Sequence, residues 1–151
     1  MGTVFYAVAG SQLAQSAETP PMLGPTRCRF VAPEGLPVRD VRWSGSCRAG
    51  LAQGRGTLRS YEGGRVARVF YGSFDGGQPV LGVIEQDGGF LAGRFEAGKI
   101  VNNGERNTLI KAFEEASAAA RQMAEVYRRA GNAASARYYQ EKAKQFLLQM
   151  D

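Results

Sequence analysis

Side chains able to do covalent or acid–base chemistry are few in this chain of 151 residues. It contains no histidine, which removes imidazole general bases, histidine metal ligands and every serine–histidine or cysteine–histidine nucleophile. Ser44 and Ser46 are therefore left without a base. Glu85 with Asp87, and Glu114 with Glu115, have the spacing of neighbouring carboxylates, but nothing around them marks a cleft and carboxylates are normally found at the surface. Gly54-Arg55-Gly56 carries a fragment of a phosphate-loop pattern without the following Lys-Ser or Lys-Thr at a strand-to-helix change. Cys28 and Cys47 stand 19 positions apart, not as C-x-x-C, and two thiols are too few for a zinc site. No catalytic residue, cofactor site or metal site is expected, and the chain reads as non-enzymatic.

Recognition-type side chains are more plentiful. The formal net charge is +5, and 15 of the 19 cations are arginines. A surplus of this size favours acidic partners or anionic surfaces. The cations are scattered and the longest basic run is Arg128-Arg129, so the stripe of a nucleic-acid binder is missing and no nucleic-acid partner is expected. Arg42, Arg48, Arg55, Arg59, Arg65 and Arg68 crowd one stretch, and read either as a basic surface for a partner or as a solvated face with no function. Trp43, Tyr71, Phe74, Phe90 and Phe95 offer rigid contact area. Of these, Trp43, Phe74 and Phe95 hold repeat positions and are expected in a core. Tyr71, opposite in parity to Phe70 and Gly72, is expected to be open to a partner.

These residues must be positioned by two compositionally distinct halves. Of 20 glycines, 18 precede residue 102, so the front reads as strands and turns and the back as helix. From Thr108, Leu109, Phe113, Ala116, Ala120, Met123, Tyr127 and Ala130 recur at helical spacing, with Asn107 or Thr108 able to cap. Gly131-Asn132 interrupts, and a second stripe runs through Ala136, Tyr139, Ala143, Phe146, Leu147 and Met150. So short a connection predicts an antiparallel helical hairpin. Residues 124–143 resemble the centre of one tetratricopeptide repeat, at Ala124, Tyr127, Gly131, Ala136 and Ala143; no second copy is present. A lone hairpin cannot bury its own stripe and must lie on the front half.

The front half repeats. Trp43-Ser44-Gly45-Ser46-Cys47-Arg48-Ala49-Gly50 recurs as Phe70-Tyr71-Gly72-Ser73-Phe74-Asp75-Gly76-Gly77 and as Leu91-Ala92-Gly93-Arg94-Phe95-Glu96-Ala97-Gly98. Large apolar residues two before and two after a glycine fit a strand with one buried face, and the glycine five positions on fits a tight turn. Gly54-Arg55-Gly56 to Tyr61 returns as the first partner strand. This pattern resembles the MORN (membrane occupation and recognition nexus) repeat family over about 56 residues. The first unit departs from it at Cys47, the second replaces Gly-x-Gly by Val80 to Ile84, and the third stops after Gly98. The resemblance implies an α+β fold: an antiparallel sheet of β-hairpins, covered on its apolar face by the C-terminal two-helix hairpin. It also implies binding of another protein, small exported forms acting as adaptors or as immunity proteins that block a toxin. Its alternative is a peripheral binder of anionic phospholipid surfaces.

The N-terminus bears on compartment. Val4 to Gly10 is a short apolar stretch, followed by a segment in which Ala14 and Ser16 would serve a signal-peptidase site; an ordinary strand or flexible arm is the other reading. Export would favour a Cys28–Cys47 disulfide over two buried thiols, tying an edge segment, Arg27 to Val31, to the first repeat. The expected division is residues 1–26 as signal remnant or arm, 27–101 as sheet and 102–151 as helical hairpin, in a periplasmic or otherwise exported protein of the bacterial envelope. Exposed sheet edges leave homodimerisation open.

Overall fold

The computed structural model describes residues 2–5, 7, 10 and 20–150. The proposed signal site at Ala14 and Ser16 lies outside the described residues, and the stretch Val4 to Gly10 is described only in part. Two short strands, β1 (Met22–Leu23) and β2 (Phe30–Val31), pair with each other. A seven-stranded antiparallel sheet follows, built from β3 (Asp40–Trp43), β4 (Ser46–Arg48), β5 (Leu51–Glu62), β6 (Arg65–Asp75), β7 (Gln78–Gln86), β8 (Gly89–Glu96) and β9 (Lys99–Val101). The chain ends in α1 (Arg106–Arg129) and α2 (Ala133–Leu148). The fold is α+β, a sheet carrying a two-helix hairpin.

The sequence repeat maps onto three hairpins: β3 and β4 with β5, β6 with β7, and β8 with β9. Each turns through two left-handed residues, Ala49-Gly50 (φ 52° and 78°), Gly76-Gly77 (56° and 79°) and Ala97-Gly98 (50° and 81°). That geometry matches the strands' own twist, which is why a glycine recurs there. The glycines inside the strands do something different. Gly56, Gly72, Gly82 and Gly93 are register partners across four successive strands, forming a stripe without side chains. A Cβ at Gly72 or Gly82 would stand 2.7 Å from Cζ of Phe70, whose ring lies across both.

Period-two alternation splits the sheet into two buried faces. Val69, Tyr71, Val83 and Ala92 point to the helices and pack with Ala112, Ala116, Ala120, Met123, Tyr139 and Phe146. Leu58, Phe70, Phe74, Ile84 and Phe95 point the other way. This corrects one expectation: the aromatics that flank the repeat glycines are buried, but not beneath the helical hairpin. Their cover is the segment from Met22 to Leu36, which lays Cys28, Phe30 and Leu36 on them. The helices take the other face because their small side chains let them come down around Tyr71, whose ring centroid is 4.9 Å from that of Phe146.

That N-terminal strap is held by the hairpin turns. Arg29, Val31 and Glu34 donate backbone N–H bonds to the carbonyls of Gly50, Gly77 and Gly98 at 2.8, 2.8 and 2.6 Å. β1 falls within residues 1–26, so the last residues of the expected arm belong to the strap. α1 begins earlier than its stripe predicts, with Glu105 at the N-cap and no side-chain cap bond. In α2, Asn132 Oδ1 accepts from the Ser135 N–H (3.1 Å), after Gly131 in the left-handed region (φ 78°). Ser117 Oγ donates to the Ala143 carbonyl at 2.9 Å and joins the two helices. No helix among the described residues is long and apolar enough to cross a membrane.

Candidate functional site

The arginines singled out by sequence do not form one surface. Parity puts Arg55 and Arg59 of β5 on the helix side of the sheet, where Arg55 stays exposed. Arg55 Nε meets Glu115 Oε1 of α1 at 2.6 Å. Arg59 is half-buried, donates to the hydroxyls of Tyr127 and Tyr139, and lies 5.4 Å from the Tyr139 ring centroid. Arg68 points to the opposite side and donates to the Gly35 carbonyl of the strap at 2.7 Å. Arg48, in β4, and Arg65, at the start of β6, are exposed.

Tyr71 is a correction. It was expected on an open face, but its side chain is fully buried against α2, because the helices cover the face opposite Phe70. Its hydroxyl has no hydrogen-bond partner among the described residues. Burial pushes the Tyr71 phenol far above its ordinary range and pushes Tyr139 up to about 12. The carboxylate neighbours are separated as well. Glu85 binds Lys142 of α2 at 2.7 Å, Glu115 binds Arg55, and Asp87 and Glu114 are exposed. Among the described residues no three His, Cys, Asp or Glu side chains gather as metal ligands.

A coherent arrangement appears where the strap meets the edge of the sheet. Cys28 of the strap and Cys47 of β4 form a disulfide, Cα to Cα 5.3 Å. A disulfide is the bond of an oxidising, exported compartment. Beside it opens a groove of about 250 Å³, lined by Arg27, Phe30, Arg42, Trp43 and the two cysteines. Trp43 forms its floor. The indole lies over Gly45 and Gly56, where a Cβ would collide with the ring, packs tilted against Phe74 with ring centroids 4.7 Å apart, and donates Nε1–H to the Ser46 carbonyl at 2.9 Å. Arg42 is 69% exposed and pairs with Asp40 at 3.3 Å. Arg42 has the opposite parity to Trp43, and its guanidinium lies 4.8 Å over the Tyr61 ring on the other face. An exposed arginine on either side of an aromatic-lined edge suits an acidic, partly apolar guest.

The residue missed from sequence is Arg27. Its role depends on the Cys28–Cys47 bond, which ties its segment to β4 next to β3, and the signal present was its position next to a cysteine. A larger open groove of about 520 Å³ beside α1 mixes Arg55, Lys111 and Arg121 with Glu114 and Glu115, so it lacks a comparable bias of sign. Compared with known proteins, the chain matches no family model, no curated protein and no solved structure.

Proposed function

We propose that this protein is a non-enzymatic protein-interaction module of the bacterial cell envelope, acting in the periplasm or another exported setting as an adaptor or as an immunity protein that blocks a toxin. The observation that carries the reading is the disulfide-tied corner. Phe30 and Trp43, with the exposed Arg27 beside them, line a concave groove there, and aromatic and arginine side chains are the types that dominate protein interfaces. The MORN resemblance of the hairpin repeats points the same way. Both broad faces of the sheet are already occupied by the chain itself, so corners and edges are what remains for a partner.

Cross-linking followed by purification from native envelope extract tests the reading. A reproducible protein partner, retained over a range of salt, is the expected result; a chain recovered alone at every salt concentration refutes it. Binding to anionic phospholipid is the alternative. It needs a broad cationic face, and Arg55 is paired with Glu115 and Arg59 is turned under the helices instead. Flotation with anionic vesicles that is strong and falls with salt would favour it.

A further inference from the structure

We propose that the free edge of β3 and the groove beside the Cys28–Cys47 disulfide together dock an extended acidic segment of a partner protein, which adds to the sheet as one more strand. This rests on the protein-binding reading above and names the kind of segment bound.

The backbone supplies the first part of the argument. β3 is the last strand at its side of the sheet and pairs only with β5, from Asp40↔Tyr61 to Trp43↔Leu58. Ser44 N–H donates to the Thr57 carbonyl at 3.0 Å. Antiparallel pairing alternates, so a step back of two makes Arg42 the residue bonded to β5 and turns the N–H and C=O of Val41 and Trp43 outward. Among the described residues, the strap makes no backbone hydrogen bond to either. The opposite edge is treated differently: the N–H of Ile100 in β9 donates to Glu34 Oε2 of the strap at 3.0 Å. Edge strands are normally blunted in some such way. β3 is left open beside a groove.

Charge and shape select the occupant. Residues 22–48 carry five arginines against two carboxylates, Glu34 and Asp40. Glu34 is engaged by β9, and Asp40 and Arg42 pair with each other, so four further arginines, Arg27, Arg29, Arg39 and Arg48, set the charge of this segment. Arg27 and Arg42 line the groove, and Arg29 and Arg48 are the chain neighbours of the lining cysteines. An acidic strand is therefore attracted, whereas a second copy would bring one arginine corner against another. Side chains alternate along an added strand, so one set reaches Phe30, Trp43 and Arg27 in the groove while the other falls on the opposite face, beside Arg42.

The test uses the oxidised full chain and its single tryptophan, Trp43, whose fluorescence reports occupancy of the groove. The probes are a short peptide alternating Glu and Val, its Lys–Val counterpart, and two N-methylated forms of the Glu–Val peptide, one for each alternate set of amides. The Glu–Val peptide should shift Trp43 emission saturably and more weakly as salt rises, the Lys–Val peptide should not, and one methylated form should lose binding. Arg27→Glu with Arg42→Glu, both at exposed positions, should weaken binding about tenfold or more, with an unchanged circular dichroism spectrum. Equal binding to this double variant, or full binding of both methylated peptides, overturns the proposal. So does a Trp43 response to phosphatidylglycerol vesicles but not to the peptide, or a dimer that itself buries Trp43. If a cross-linked native partner still binds the double variant, the docking site is wrong and the protein-binding reading stands. If no partner is recovered at any salt concentration, that reading falls whatever the peptides do.

Discussion

The backbone N–H of Val31 donates to the carbonyl of Gly77 at 2.8 Å, and it is the middle one of three equivalent contacts. Arg29 makes the same bond to Gly50 and Glu34 to Gly98, the matching glycines of the first and third hairpins. A repeat in sequence thus becomes a row of evenly placed acceptors, on which a segment with no repeat of its own can be laid. The strap closes the aromatic face with Phe30 and Leu36. It also brings Arg27 and Phe30 beside Trp43, so the groove exists only while the strap is in place.

The disulfide is therefore expected to hold the strap more than the sheet. Closing a loop of 19 residues should stabilise the fold by about 3 kcal/mol through the unfolded chain. Urea unfolding with and without reductant measures this. Hydrogen exchange should localise it, with the amides of Arg29, Val31 and Glu34 losing protection on reduction while those paired between β6 and β7 keep theirs. Equal unfolding midpoints in the two states would remove the bond from the account.

The glycine stripe makes a sharper claim. At Gly82 an added Cβ meets the Tyr71 carbonyl and the Phe70 ring on a packed strand, with nowhere to shift. Gly82→Ala should cost about 2–4 kcal/mol. Gly89→Ala, in the neighbouring strand, meets nothing within 4 Å and should stay within about 0.5 kcal/mol of the parent. Thermal unfolding of the pair decides it, since similar losses at both sites would mean that generic glycine flexibility, not ring packing, explains the repeat.

What was legible in the sequence was whatever leaves a local period. Glycine spacing announced the hairpins and their left-handed turns, and helical spacing from Leu109 and from Ala136 announced the two helices. The side of the sheet that each cover would choose left no such trace. Phe70 and Tyr71 differ only in parity, and both faces proved apolar enough to bury, so a reading that assumed one buried face put Tyr71 in solvent. The groove was hidden for another reason. Arg27 and Trp43 are joined by a disulfide and a strap path, and neither produces a periodic signal.

Burial also divides the arginines into two kinds that mutation can separate. Arg59→Met keeps the aliphatic stem but gives up the contacts with Tyr127 and Tyr139, and should destabilise by about 1–2 kcal/mol. Arg48→Ala and Arg65→Ala, at exposed positions, should each change stability by less than about 0.5 kcal/mol. The folded Arg59→Met protein should bind a partner as the parent does, because the guanidinium lies under α1 and α2. A binding loss at Arg59 without a stability loss would return that residue to the interaction surface.

Alkaline pH offers a test of the helix-covered face. Desolvation is the main cause that raises both Tyr71 and Tyr139, the second to about 12, while nearby Arg59 pulls each downward. In the unfolded chain both phenols titrate near pH ~10. Above that pH the unfolded chain releases protons that the folded chain keeps, so fewer protons are bound when unfolded and stability falls as pH rises. The contribution is whole below about pH 10, and it is lost through about pH 12 for Tyr139 and beyond that for Tyr71. Urea midpoints should accordingly be insensitive to these groups at neutral pH and drop once tyrosine begins to ionise. Tyr71→Phe removes a buried hydroxyl that has no partner, so it should raise stability at neutral pH by up to about 1 kcal/mol and flatten the alkaline decline. A variant that loses stability at neutral pH, or declines as steeply as the parent, would show that the Tyr71 hydroxyl is satisfied in solution and that the alkaline sensitivity has another source.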